Sequence, residues 1–90
     1  MNINENQTNH KNVLAQVQAL LADAIQVPAE IVTPDLAFGD LPQWDSLGHM
    51  EVMLKLEEEF GVAIDADMIA NLISIPEIVR YLEGGDHARG

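Results

Sequence analysis

Apolar residues recur along much of the chain at the spacing that gathers them on one side of a helix. This pattern predicts a first helix over about residues 11–25, which ends near Pro28 because a residue before proline avoids the α-helical region. A second helix is predicted over about residues 46–60, with Gly61 as its stop, since glycine adopts the left-handed conformation at little cost.

Two shorter helices are predicted in the last third of the chain. One covers about residues 67–72. The other begins at Ser74, which forms a capping-box pattern with Glu77, while Pro76 is tolerated in a first helical turn. The glycine pair at 84–85 ends it. Together the four segments predict an all-α protein.

A long connection, about residues 28–45, separates the first two helices. Three prolines and Gly39 break regular structure within it. It nevertheless carries several large apolar residues, namely Ile31, Val32, Leu36, Phe38, Leu41 and Trp44. We therefore expect the loop to be pinned across the core, with Trp44 as a plug between loop and helices. Loops of this length in compact domains are often functional.

The predicted second helix has two apolar faces, separated by roughly 140° at about 100° per residue. Val52, Met53, Leu56 and Phe60 form one face, and Leu47, Met50 and Leu54 form the other. A surface helix needs only one buried stripe. The second stripe (Leu47, Met50 and Leu54) is therefore either covered by another element, such as the third helix with Met68 and Ile69, or exposed for a partner protein.

Acidic residues flank the second stripe. Glu51, Glu57 and Glu58 would suit a partner groove rimmed with Lys or Arg, although glutamates also commonly form a solvated helix face. Lys55 is positioned to pair with Glu51 and Glu59, each four residues away.

Composition narrows the classes of function. Ninety residues form one small domain, and 48% hydrophobic but only 4% aromatic residues predict an aliphatic core. The net charge of −11 disfavours nucleic acid and anionic membranes, which need basic residues to neutralise phosphates. No apolar run approaches the roughly 20 residues of a membrane span. The absence of cysteine excludes disulfides and thiolate metal sites, and is compatible with a cytoplasmic location.

Asp45 and Ser46 lie where the long loop becomes the second helix, and two interpretations apply. Asp and Ser are the usual residues at a helix N-cap, where their side chains accept hydrogen bonds from free backbone amides. Alternatively, the Ser46 hydroxyl could accept a phosphoryl group, which the amides and dipole of a helix N-terminus favour.

Other candidate sites have weaker support. His10, His49 and His87 are too widely spaced for a shared metal site, and His49 is expected to be an exposed surface histidine. Asp65 and Asp67 lack the glycine loop of a calcium site. Ser46 lacks the Gly-x-Ser-x-Gly turn of a hydrolase nucleophile, so a small hydrolase ranks last.

The stretch from residue 44 to residue 62 resembles the acyl carrier protein family. It has Asp-Ser-Leu at 45–47, where the family begins its second helix, and Glu-Glu-Glu-Phe-Gly at 57–61, where that helix often ends. The resemblance extends over about residues 13–83, through Ile31-Val32-Thr33-Pro34, Phe38, Asp40-Leu41, Ile64, Ile75 and Tyr81-Leu82.

This resemblance implies a four-helix bundle with a long first loop and a short third helix. It implies that Ser46 bears a 4′-phosphopantetheine, which a separate phosphopantetheinyl transferase adds from coenzyme A with the help of Asp45. The thiol of that group holds an acyl or aminoacyl group as a thioester. An activating ligase loads the carrier, and downstream transferases receive the cargo; these enzymes have basic docking patches. The carrier itself catalyses no reaction. The docking face would comprise Leu47, Met50, Glu51, Leu54, Glu57, Glu58, Met68 and Ile69.

Several residues depart from the common fatty-acid pattern. Gly48 stands where those carriers usually have an acid, His49 where they often have threonine, and Trp44 precedes the Asp-Ser pair. Trp-Asp-Ser-Leu-Gly-His more closely resembles free-standing carriers of specialised pathways, including aminoacyl, D-alanyl-type and polyketide or nonribosomal-peptide carriers of secondary-metabolite biosynthesis. A general fatty-acid carrier, an excised peptidyl-carrier domain and, in a different class, an unmodified helical adaptor remain alternatives.

We therefore expect a monomeric, cytoplasmic carrier without metal, nucleic-acid or membrane partners. Its domain would span residues 11–83, with a flexible N-terminal tail at 1–10 and a flexible C-terminal tail at 84–90.

Overall fold

The computed structural model describes residues 5–84, with side chains from residue 12 onward. Four α-helices follow one another: α1 (Glu5–Ile25), α2 (Ser46–Phe60), α3 (Ala66–Asn71) and α4 (Ile75–Leu82). A 3₁₀ turn, Ala29–Ile31, lies in the long loop between α1 and α2. The predicted four-helix, all-α fold is confirmed, and the described residues contain no strand beyond one isolated bridge between Ala37 and Ser74.

Helix α1 begins at Glu5, whereas apolar periodicity placed its start near residue 11. Residues 5–10 contain neither glycine nor proline, so a helix formed downstream can extend through them without an apolar face. Residues 5–10 are thus helical, although the sequence placed them in a tail. The division into a carrier domain and two tails stays a prediction, and residues 1–4 and 85–90 lie outside the described part.

The core lies where α1 packs against α2 and α4. It is aliphatic as predicted, apart from Trp44, the largest of the fully buried side chains. Its main members are Val17, Leu20, Leu21, Ile25, Val52, Met53, Leu56, Ile75, Ile78 and Val79. Val52, Met53 and Leu56 are the predicted buried face of α2, and Phe60 packs half-buried at its edge.

Side-chain caps define the helix starts. Asp45 accepts a hydrogen bond from the Gly48 amide at 2.9 Å, and Asp65 accepts one from the Met68 amide at 2.9 Å, so α3 starts one residue before its predicted position. Ser74 accepts from the Glu77 amide at 3.3 Å, which confirms the predicted cap of α4. Gly61 ends α2 in the left-handed conformation at φ 69°.

The long loop is pinned to the helices, as its apolar residues predicted. Val32, Leu36 and Trp44 are buried. The Gln18 side chain donates to the Val32 carbonyl at 2.7 Å, and the Phe38 amide donates to the Ile73 carbonyl at 2.8 Å. The loop is thereby fixed to α1 and to the α3–α4 connection, and it delivers residue 45 to one end of the bundle.

Gly48 lies where this loop packs tightly against the first turn of α2. A Cβ atom at position 48 would collide with the backbone carbonyl oxygen of Gln43 and would also press on the Ile25 side chain. The absence of a side chain therefore allows the loop to fold back against the first turn of α2.

Candidate functional site

Ser46 is the first residue of α2, and its side chain is exposed. No hydrogen bond within the described residues engages its hydroxyl. The Asp45 carboxylate satisfies the Gly48 amide, so the cap interpretation is confirmed for Asp45 while the Ser46 hydroxyl remains available. A phosphate on this hydroxyl would lie at a helix N-terminus, where backbone amides and the helix dipole favour negative charge.

The only other serine, Ser74, provides a useful contrast. It also lies at a helix N-terminus, but its hydroxyl donates to the Glu77 carboxylate at 3.0 Å and accepts from the Glu77 amide. Its side chain is half-buried. Of the two serine hydroxyls, only that of Ser46 is both exposed and uncommitted.

A surface cleft of about 470 Å³ opens beside Ser46. Its lining is mainly apolar and comes from the long loop, α2, α3 and the residues after α3: Phe38, Ser46, His49, Met50, Ile69, Ala70 and Ile73. Clefts of ~300–1,000 Å³ with apolar walls are typical of small-molecule sites. An exposed serine at the rim of such a cleft fits a tethered group with an apolar part.

His49 is buried, with 5% of its surface exposed, so the expectation of an exposed surface histidine was wrong. The Trp44 Nε1–H donates to His49 Nδ1 at 3.0 Å, and His49 Nε2 lies 2.8 Å from the Ile69 carbonyl oxygen. Because an indole nitrogen only donates, Nδ1 must accept and Nε2–H must donate to Ile69. Both ring nitrogens are thus committed, which leaves neither free to bind a metal or a substrate.

Phe38 completes an aromatic cluster with this pair. Its ring contacts His49 edge-on, with centroids 5.5 Å apart, and Trp44 with centroids 6.4 Å apart. Phe38 is still 40% exposed, because its other side lines the cleft. The predicted role of Trp44 as a plug is confirmed, but its partner His49 was not identified from the sequence.

The second stripe of α2 is exposed rather than covered by α3. Leu47 is 76%, Met50 42% and Leu54 51% exposed. Glu51, Glu57 and Glu58 beside it are exposed as well. Of the two alternatives left by the sequence, the structure therefore favours a stripe that is available to a partner; docking itself stays a prediction.

The remaining two predicted docking residues, Met68 and Ile69, lie in different surroundings. Ile69 is half-buried and lines the cleft beside Ser46. Met68 instead faces α4, where its sulfur accepts a hydrogen bond from the Tyr81 hydroxyl at 3.7 Å. The structure thus brings Ile69 to the candidate site and directs Met68 away from it.

Lys55 pairs with α1 rather than with the glutamates of its own helix, so the predicted pairing with Glu51 and Glu59 was wrong. Its ammonium group lies 2.8 Å from the Asp23 carboxylate. The hydrogen bond and charge of Asp23 raise the pKa of Lys55, and Glu58 and Glu59 add smaller contributions in the same direction. Lys55 is the only lysine or arginine on α2, and it is paired with α1. No basic side chain of α2 is therefore directed towards the acidic edge of the second stripe.

Neither a metal site nor a membrane span is found in the described part of the chain. No three or more His, Asp or Glu side chains there are placed to hold a metal ion. None of the described helices combines the length and apolar character needed to cross a bilayer.

Comparisons with known proteins agree with this geometry. A family model described as "Phosphopantetheine attachment site" matches residues 15–82. An acyl carrier protein of Thermosynechococcus vestitus is 32% identical over 74 residues, which cover 82% of this chain and 91% of that protein. An acyl carrier protein of Helicobacter pylori is 36% identical over 67 residues, covering 74% and 86%. "Acyl carrier protein 3" of Ralstonia nicotianae is 28% identical over 82 residues, covering 91% and 94%.

Proposed function

This chain belongs to the acyl carrier protein family, whose members carry covalent 4′-phosphopantetheine and are carriers rather than enzymes, and we propose that Ser46 bears this group here. When attached, the group supplies the thiol that holds an acyl or aminoacyl residue as a thioester. The observation that carries the assignment is the exposed, uncommitted Ser46 hydroxyl at the start of α2. Asp45 supports it by fixing the first turn of that helix.

The structure around Ser46 contributes three further features to this function: free amides, an apolar cleft and a fixed loop. Free amides at the start of α2 favour a phosphate on the serine oxygen. The apolar cleft offers a surface on which a tethered group can rest when no partner is docked. The long loop, held by its contacts with α1 and with Ile73, keeps Ser46 at the end of a rigid bundle, where a partner's active site can reach it.

Partner enzymes are proposed to dock on the second stripe and its acidic edge. Three exposed apolar side chains in a row along α2 offer a surface to desolvate, and Glu51, Glu57 and Glu58 favour a basic rim on the partner. Ile69 would extend this face through the cleft. The transferase that installs phosphopantetheine and the ligase that loads the carrier would use the same face.

The pathway is proposed to be a specialised one, served by a dedicated acyl- or aminoacyl-activating enzyme in the cytoplasm. The support is that Trp44, Gly48 and His49, which depart from the common fatty-acid pattern, are all engaged in packing at the start of α2. Their replacement by the usual residues would change how the loop meets the helix. A loading assay distinguishes this role from that of a general fatty-acid carrier. A specialised carrier would accept acyl or aminoacyl groups from its own ligase and would be a poor substrate for malonyl transfer.

The attachment site is tested by intact mass. Wild-type protein, Ser46→Ala and Ser74→Ala are incubated with coenzyme A, magnesium and a broad-specificity phosphopantetheinyl transferase. We expect a phosphopantetheine mass gain in wild type and Ser74→Ala but not in Ser46→Ala, because only the Ser46 hydroxyl is exposed and uncommitted. Ser74→Ala is the matched control, since it removes the chain's other serine from another helix start.

The opposite results are equally informative. A mass gain that persists in Ser46→Ala and disappears in Ser74→Ala would move the site to α4. No gain in folded wild-type protein, tested with several transferases, would favour the adaptor alternative, in which the second stripe binds partners without any modification.

A further inference from the structure

One of the residues that line the cleft beside Ser46 is His49, whose ring is hydrogen-bonded to that of Trp44. His49 lines the cleft on one side and contacts the fully buried Trp44 on the other. Its Nδ1 accepts from the Trp44 indole at 3.0 Å, and its Nε2–H donates to the Ile69 carbonyl at 2.8 Å. The His49 ring therefore joins the long loop, α2 and α3 at the place where a path from Ser46 into the core would begin.

Opening such a path would be unfavourable for two reasons. The His49 ring would have to leave the gap between α2 and α3, and the Trp44 N–H and the Ile69 carbonyl would then lose their partners. Val52 and Met53, farther along α2, are fully buried, and close-packed interiors have little unfilled space. The cleft thus ends at His49.

We propose that His49, held by Trp44 and Ile69, closes the bundle interior to the carried group, so that this group rests in the surface cleft. The inference depends on the proposed attachment at Ser46. It also defines a substrate class: acyl and aminoacyl groups short enough for the cleft, since a longer alkyl chain would extend beyond the cleft and remain in water. His49 acts here as a positioning residue that touches no reacting atom.

The test compares two cargoes on the wild-type protein. A broad-specificity transferase loads acetyl- or octanoyl-phosphopantetheine from the corresponding coenzyme A thioester, and intact mass confirms each product. Methyl NMR then compares core reporters (Val52, Leu56 and Ile78) with cleft reporters (Ile69 and Ile73). We expect octanoyl cargo to shift the cleft methyls alone, with the same rate of thioester cleavage by hydroxylamine as acetyl cargo.

Other outcomes would overturn the inference. Shifts of the core methyls would mean that the chain enters the bundle. No shift at the cleft methyls would remove the cleft as the resting place. A missing mass gain is a distinct failure, because it rejects attachment at Ser46 itself.

A variant tests the role of His49 directly. His49→Ala removes this ring from the cleft lining, so octanoyl cargo should now shift the core methyls and its thioester should be cleaved more slowly than the acetyl form. Ile31→Ala, an exposed apolar truncation on the 3₁₀ turn outside the cleft and the second stripe, is the matched control and should behave as wild type. A folded His49→Ala that still excludes octanoyl would contradict the assignment. Ile73→Ala supplies a second measurement, since it should weaken the cleft shifts without admitting cargo to the core.

Discussion

The indole Nε1–H of Trp44 donates a buried hydrogen bond to Nδ1 of His49, five residues later, across 3.0 Å. This bond joins the end of the long loop to the first turns of α2. The opposite nitrogen of His49 reaches α3 through the Ile69 carbonyl. The segment that carries Ser46 is thus fixed from both sides.

Replacement of His49 by alanine should destabilise the protein. The change leaves the buried Trp44 N–H and the part-buried Ile69 carbonyl without their partner and creates a cavity, at a cost of about 2–4 kcal/mol. Urea denaturation measures the difference in free energy of unfolding. Glu51→Ala, an exposed change on the same helix, should remain within about 0.5 kcal/mol of wild type. Equal effects of the two substitutions would contradict the proposed role of the buried pair.

The tautomer of His49 can be observed directly. Because the Trp44 indole only donates, the imidazole should carry its proton on Nε2 in folded protein at neutral pH. Long-range ¹H–¹⁵N NMR spectra distinguish a protonated Nε2 from a protonated Nδ1. The Trp44→Phe variant removes the donor to Nδ1 but leaves the Ile69 carbonyl, which only accepts, so the Nε2–H form should still dominate there. A dominant Nδ1–H form in the wild type would show that the hydrogen bond is absent in solution.

Gly48→Ala should destabilise the fold although alanine is the better helix former by about 1 kcal/mol. The added Cβ would meet the Gln43 carbonyl, and overpacking of this kind costs about 1–3 kcal/mol. Thermal unfolding of the variant, with Glu58→Ala as an exposed control on the same helix, measures the effect. A raised melting temperature would indicate that the loop can move away from α2 freely.

The Lys55–Asp23 pair should make a small, pH-dependent contribution to stability. Its hydrogen bond raises the pKa of Lys55 above the ordinary 10.5, so the folded state holds the proton more tightly than the unfolded state. The contribution is complete below the unfolded pKa and is lost as pH rises through the folded one. The stability difference between wild type and Lys55→Gln should therefore persist at neutral pH and vanish in strongly alkaline solution.

Asp23→Asn provides the control for this pair. It should reproduce the loss seen in Lys55→Gln, and the double variant should lose no more than either single one, since both remove the same interaction. Solvent screening keeps the effect small, because the Asp23 side chain is 63% exposed. A stability difference that grows as the pH rises would mean that folding lowers the pKa of Lys55 instead of raising it.

Charge reversal at the edge of the second stripe should weaken docking without affecting the fold. Glu57→Lys and Glu58→Lys are expected to raise the KM of a phosphopantetheinyl transferase by up to about tenfold, which corresponds to ~1.4 kcal/mol. Circular dichroism should show the same melting temperature within error, because both side chains are exposed. An unchanged KM for both variants, measured at low salt, would place the docking face elsewhere.

Local signals in the sequence predicted much of the fold. Apolar periodicity located the four helices, and short-range chemistry located their ends: Asp45 and Ser74 as caps, and Gly61 as the left-handed stop. The start of α1 was missed because its first residues have no apolar face to reveal them. The exposed second stripe was recognised as a surplus of apolar positions, but whether α3 covered it depended on tertiary packing.

The sequence by itself determined the family, the helical fold and the candidate serine, because each of these depends on residues that are neighbours along the chain. Only the tertiary structure decided the burial and hydrogen bonding of His49, the partner of Lys55 and the position of Met68. Each of these depends on which groups meet after the loop folds back over the helices. Contacts between separate elements produce no periodic pattern in the sequence. The sequence alone therefore does not distinguish a histidine that is buried in the folded bundle from one that is exposed.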